Sequence, residues 1–208
     1  MKSFVDNNHI HSIRDDLTGV VIFLAFIWLM FVLDALLPFL PFERLGLIPR
    51  SFRGLDGILT MPFVHKDLGH IISNTVPLAV TLVLLAGSRA NSAMIVFLTI
   101  VLSGALLWLF GREARHIGAS GLVFGLVAFH IAAGIFEKRM TSILIAVAVG
   151  LLYAGTLFRG VLPFQQGVSW DGHLFGAIAG AIVAFAMAQS LKGNRNPTSS
   201  SNQRSTRL

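Results

Sequence analysis

The stretch HIGASGLVFG, residues 116–125, decides how the chain is read, because it sets Gly118, Ser120 and Gly121 at the head of a long apolar run. A serine between glycines at the edge of a membrane-length helix serves either packing or chemistry. Gly-Ala-Ser-Gly is the composition that two helices crossing closely in a bilayer would use, since small residues let backbones approach. Which of the two applies depends on what the rest of the chain brings to the same depth.

The composition is that of a membrane protein. Of 208 residues, 54% are hydrophobic and only 12% are charged, and the mean hydropathy is +0.75, whereas a soluble domain carries roughly 25% charged residues. The net charge of +6 does not point to nucleic acid, because the 16 Lys and Arg residues lie in termini and connecting loops with no basic stripe along any element. They read as membrane flanks. With no cysteine in the chain, disulfides, a thiolate nucleophile and a Cys-based zinc site are excluded, so any nucleophile carries oxygen or nitrogen.

Residues 1–19 are polar and too short to form a domain, and read as a cytoplasmic tail. The first apolar run, 20–40, is long enough at about 1.5 Å per residue to cross a hydrocarbon core of about 30 Å. It ends in LLPFLPFE rather than at a small-residue cleavage site, so it reads as a permanent anchor. Residues 41–69 thread apolar side chains such as Leu47, Ile58 and Phe63 between Arg44, Arg50, Arg53, Asp56 and Lys66, the pattern of a segment lying in the interface plane. Five more apolar runs follow, at about 70–87, 92–110, 118–136, 141–158 and 171–190. The expected architecture is an all-α bundle of six transmembrane helices spanning 20–190, followed by a basic, disordered tail over 191–208.

Six crossings put both termini on one side, and Lys192, Arg195, Arg204 and Arg207 favour the cytoplasm for it. The second, fourth and sixth spans then begin at the outer face, and each beginning carries unusual polar residues: His70 and Asn74, Ser120, and His173. Polar groups inside spans are expensive and face a bundle interior or a water-filled cavity. A shared cavity opening outward follows.

His70 and Asn74, four apart on one helix, share a face and can address one atom; imidazole and amide donors suit a developing oxyanion. Ser120 sits in the first turn of its span, where backbone N–H groups lack intrahelical partners and the helix dipole is positive. Its base would be His173, which begins GHLFGAIAG; there Gly172, Gly176 and Gly180 repeat every four residues and make a smooth face for a neighbouring helix. If that neighbour is the fourth span, the imidazole reaches the serine. The remaining polar residues read as structural: His65 packs or hydrogen-bonds under the second span, His116 is a loop residue, His130 lies about 15 Å below Ser120, and Tyr153 and Arg159 anchor at the interface.

HxxxxHxxxN (His65, His70, Asn74), GASG (118–121) and GHLFGAIAG (172–180), in that order on the second, fourth and sixth of six spans, resemble the rhomboid intramembrane serine proteases, in particular a bacterial subgroup with a minimal six-helix core. The resemblance covers about residues 48–190. It implies a Ser-His dyad without an aspartate: Ser120 as nucleophile, His173 as general base and then acid, and His70, Asn74 and the Ser120 backbone N–H as oxyanion donors. Gly118, Gly121, Phe124, Gly176 and Gly180 would support them. The expected partners are the lipid bilayer and membrane-protein substrates whose transmembrane helix is unstable, cut near the outer face, and no metal or organic cofactor is called for. The alternative on the same fold is a catalytically silent rhomboid-like protein that binds membrane helices. Phe124 stands where many members have a tyrosine beneath the histidine, and Asp56-Gly57 lies at about the distance before His70 where many have a Trp-Arg pair.

Overall fold

The computed structural model describes residues 7–89, 91–163 and 167–193. Their regular elements are α1 (Asn7–Leu36), the single turn α2 (Gly57–Thr60), α3 (Leu68–Ser88), α4 (Ser92–Phe110), α5 (Ser120–Glu137), α6 (Met140–Gly160) and α7 (Trp170–Gly193), with short 3-10 turns flanking α2. All except α2 contain an apolar window long enough to cross a membrane, so the six-span, all-α architecture expected from the sequence is the one observed.

The fourth helix element coincides with the run read at 92–110, and the later spans differ from expectation by less than a turn. The first differs more. Its helix covers Asn7–Leu36 and its membrane-length window Ile13–Leu36, not 20–40. Pro38 and Pro41 account for the early stop, because proline lacks the N–H a helix needs and disfavours helical geometry in the residue before it. At the other end no proline interrupts the polar residues before the apolar run, so a helix once nucleated propagates outward through them. Residues 7–19 of the expected tail are therefore helical, as are the first three residues of the expected basic tail. The remainder of both tails, 1–6 and 194–208, lies outside the described residues.

The fifth element is central. Two thirds of its apolar window is buried inside the protein, against about a tenth for α1 and α6, whose Leu151, Leu152 and Phe158 face outward. Glycines make its contact with α7. A Cβ on Gly176 would overlap the Gly121 carbonyl and one on Gly180 the Gly125 carbonyl, while a Cβ on Gly125 would lie 3.1 Å from the Gly176 oxygen and 2.5 Å from Thr99 of α4. The smooth face read on the sixth span does meet the fourth. At the opposite end, Arg89 pairs with both Glu137 oxygens at 2.7 and 3.0 Å, and Ser142 donates to the same carboxylate at 2.7 Å. This largely buried fork ties the ends of α3, α5 and α6 together.

The segment between α1 and α3 is packed against the bundle. Ile58 fills the space left by Gly104 of α4, where a Cβ would come within 2.8 Å of the Ile58 carbonyl oxygen. Asp56 accepts from the Gly57 amide, Thr60 donates to Leu45 O at 2.6 Å, Arg50 donates to Gly111 O at 2.7 Å, and Trp108 donates to Ser51 O at 3.0 Å. An antiparallel backbone bridge joins Leu47 to His116. These bonds hold the loop with Asp56-Gly57 at the position where the resemblance led one to look for Trp-Arg.

Candidate active site

Ser120 opens α5 and His173 lies in the first turn of α7. The glycine-mediated crossing brings them together, with Ser120 Oγ 2.9 Å from His173 Nε2. His173 Nδ1 is 2.9 Å from the carbonyl oxygen of Gly160. A carbonyl can only accept, so Nδ1 carries the proton and Nε2 presents its lone pair to the serine hydroxyl, which donates. The Gly160 carbonyl thus fixes the tautomer that a base needs. Phe124, one turn after Ser120, stacks on the imidazole with ring centroids 4.0 Å apart and planes 9° apart. Stacking beneath His173 requires an aromatic face and no hydroxyl.

The glycine preceding Ser120 by two has a local reason. Gly118 adopts φ +103°, a region open to glycine but strained for other residues. A Cβ there would sit 2.5 Å from His70 Nε2 and 3.4 Å from Asn74 Nδ2, so His70 and Asn74 flank the backbone leading into Ser120. The Gly118 amide donates to Met61 O at 2.9 Å and the Ala119 amide to His65 Nε2 at 3.3 Å. The next amide, that of Ser120, is in the first helical turn and points along the positive end of the helix dipole. His65 is buried beside His70, with ring centroids 5.1 Å apart. Burial, reinforced by the His70 charge, pushes its pKa down to about 4, which matches its role as a neutral acceptor for Ala119.

Asn74 is 6% exposed, and its Nδ2 is buried without a protein partner. Together with Ser73, Pro77, Ser120, Phe124 and Tyr153 it lines a cavity of about 270 Å³ between α3, α5 and α6. An amide that has surrendered water and found no acceptor is costly; a cavity with Ser120 on its wall is where an acceptor would be accommodated. Pro77 contributes locally, since it offers no N–H to the Ser73 carbonyl one turn earlier and so relaxes the ladder of α3 beside the cavity.

The residues singled out from sequence are therefore close together: His173 touches Ser120 and Phe124, His70 and Asn74 flank Gly118 two residues before Ser120, and Gly121, Gly176 and Gly180 make the helix crossing that allows it. His130 lies apart, bonded to Thr81 O at 3.0 Å. Three positions do more than the sequence alone reveals. Tyr153, which the sequence places as an interfacial anchor, borders the cavity. His116 lies in the loop, as the sequence indicates, but is 3% exposed and bonded through both ring nitrogens. Gly160 takes part through its carbonyl and through its missing side chain, since a Cβ there would overlap the Phe124 ring and sit 3.1 Å from His173 Nδ1. Among the described residues no three His, Asp or Glu side chains gather as a metal site would require.

A six-span helical bundle with a serine and a histidine in contact near one end is an arrangement belonging to a known class of membrane protein. The rhomboid domain model matches residues 53–190. The chain is similar to the uncharacterized protein Rv1337 of Mycobacterium tuberculosis, with 35% identity over 185 residues, covering 82% of this chain and 75% of the relative. It is likewise similar to the uncharacterized protein ML1171 of Mycobacterium leprae, with 37% identity over 145 residues, covering 64% of this chain and 57% of the relative. The chain belongs to the rhomboid family, whose members are generally intramembrane serine proteases, some of them inactive, and is a multi-pass membrane protein.

Proposed function

We propose that this protein is an intramembrane serine endopeptidase that cleaves transmembrane segments of other membrane proteins near the outer face of a cell membrane, with both of its termini in the cytoplasm. The observation that carries the reading is the 2.9 Å contact between Ser120 Oγ and His173 Nε2, with the histidine tautomer fixed by Gly160. The orientation rests on the Lys and Arg distribution, nine on the inner side against seven outside (Lys2, Arg14, Arg89, Lys138, Arg139, Lys192, Arg195, Arg204 and Arg207 against Arg44, Arg50, Arg53, Lys66, Arg112, Arg115 and Arg159).

In this mechanism the Ser120 proton passes to His173 Nε2 as Oγ attacks the scissile carbonyl carbon, and the carbonyl oxygen becomes an oxyanion. Asn74 Nδ2, His70 and the Ser120 N–H supply the hydrogen bonds that oxygen needs, and they are held in place before reaction, where such donors are most effective. The imidazolium keeps its Nδ1–H bond to the Gly160 carbonyl and its stacking on Phe124, whose ring face is electron-rich. His173 then returns the Nε2 proton to the leaving amine as the C–N bond breaks, leaving an ester on Ser120. Water, deprotonated by His173, hydrolyses that ester. No acidic third member is required, because the carbonyl performs the orienting task that an aspartate performs in a triad.

A peptide bond within an intact helix has its carbonyl bonded to an amide one turn on, so substrates are membrane helices that unwind readily near the outer surface. The test is cleavage of a single-span reporter in liposomes by the parent, Ser120→Ala and His173→Ala proteins. Equal cutting by all three would refute the proposal.

A further inference from the structure

A second polar cluster lies beside the dyad and is not used in the chemistry above. Asp171 is 2% exposed at the start of α7. Its Oδ2 accepts from the Arg112 backbone N–H at 2.8 Å and its Oδ1 from Arg112 Nη2 at 3.1 Å. Arg112 in turn lies over the Trp170 ring, 5.1 Å from its centroid. His116 reaches the same place from the α4–α5 loop. Its Nε2 donates to the Arg112 carbonyl at 3.2 Å, and its Nδ1 is hydrogen-bonded to Ser169 Oγ at 2.7 Å, while the same hydroxyl lies 3.4 Å from Asp171 Oδ1. Ser169 also caps α7: its Oγ accepts from the Gly172 amide at 3.3 Å and its carbonyl from the His173 amide at 3.0 Å.

The cluster joins segments far apart in the chain. His116 is bridged through its backbone to Leu47 of the first loop, at 2.9 and 2.8 Å, and stands four residues before Ser120. Asp171 stands two residues before His173. A buried carboxylate is retained only where charge and hydrogen bonds compensate its desolvation, and here the compensating groups come from the end of α4 and the loop that launches α5. Displacement of one launching point against the other would be transmitted to the Ser120–His173 contact, and a misplacement of about 1 Å is enough to cost about 10²-fold in rate.

We propose that Asp171, Arg112, His116 and Ser169 form a positioning network that sets the start of α7 against the start of α5, and thereby the distance and angle at which His173 meets Ser120. None of the four touches the reacting atoms. Their contribution is to hold, through the helix start, the alignment that the Gly160 carbonyl holds through the ring. The inference rests on the protease reading for its effect on rate, but its geometric content does not.

The experiment compares the full-length parent with His116→Ala, Ser169→Ala and, as a control of similar burial far from the network, Val149→Ala. Reporter cleavage gives kcat and KM, and ¹⁵N NMR of histidine-labelled protein follows the His173 ring, assigned by its loss in His173→Gln. The network predicts that kcat falls by about 10- to 100-fold in both variants, with KM within threefold and the His173 resonances shifted, and that Val149→Ala changes neither. Parental kcat and unmoved His173 resonances in both variants would overturn the inference, as would an equal loss of kcat in Val149→Ala, which would mark a general loss of stability. If the parent itself does not cleave, the protease reading falls and the ring resonances alone decide: shifted in both variants, the positioning network stands; unmoved, it does not.

Discussion

Gly118→Ala is the perturbation whose consequence can be worked most directly from the geometry. The added Cβ would lie 2.5 Å from His70 Nε2 and 2.6 Å from its Cε1, where ordinary contact begins at 3.4 Å. The imidazole must therefore retreat by about 0.9 Å, the difference between 3.4 and 2.5 Å, or the backbone must leave φ +103°. Holding alanine at that dihedral costs about 1–3 kcal/mol, and a displacement near 1 Å at an oxyanion donor costs about 10²-fold in rate. The expected outcome is a folded protein with a lowered melting temperature and kcat/KM for a single-span reporter reduced by about 10²-fold. Gly150→Ala, where nothing lies within 4 Å of the new Cβ, keeps parental activity. Melting temperature and reporter kinetics in the same detergent supply both numbers. A Gly118→Ala protein that cuts within threefold of the parent would refute the placement of His70 against the loop that leads into Ser120.

Asn74→Ala removes the unpartnered amide facing the cavity and should lower kcat by about 10²–10³-fold, as loss of one oxyanion donor does; an unchanged turnover number removes Asn74 from the site. Phe124→Leu abolishes the stacking at 4.0 Å, worth about 0.5–1.5 kcal/mol, so kcat should fall by about 2- to 10-fold while Phe124→Tyr stays near the parent. His65, whose pKa is lowered by burial to about 4 from 6.5, binds fewer protons folded than unfolded between those values. Its contribution to stability is present above pH 6.5 and is lost as pH falls toward 4. Melting temperatures measured from pH 4 to 8 should decline less steeply on the acid side in His65→Gln than in the parent, and parallel curves would contradict the assignment.

Much of the bundle was legible because a bilayer makes apolar run length a direct measure of helix length. The spacing of Gly172, Gly176 and Gly180 disclosed which face of α7 packs, and the placement of His70, Asn74, Ser120 and His173 at span beginnings pointed to the candidate site. What escaped has physical causes. Gly160 acts through its carbonyl, which every residue possesses, and through the space its missing Cβ leaves to the Phe124 ring, which shows only once α6 is packed against α5. His116 belongs to a network whose other members lie in α7 and at the end of α4, and a histidine in a loop looks the same whether buried or solvated. The start of α1 was not legible because hydropathy reports membrane burial, whereas helix propagation into polar residues is a backbone property.

In the proposed reaction Ser120, activated by His173, breaks a peptide bond within a membrane helix. The most direct measurement is cleavage of a single-span reporter co-reconstituted in liposomes with the purified parent, Ser120→Ala or His173→Ala, with products identified by mass. One cut near the outer end of the reporter's helix is expected from the parent, and a loss on the order of 10³-fold or more in each variant. A reporter left intact by the parent, or cut equally well by the variants, would contradict the proposed reaction.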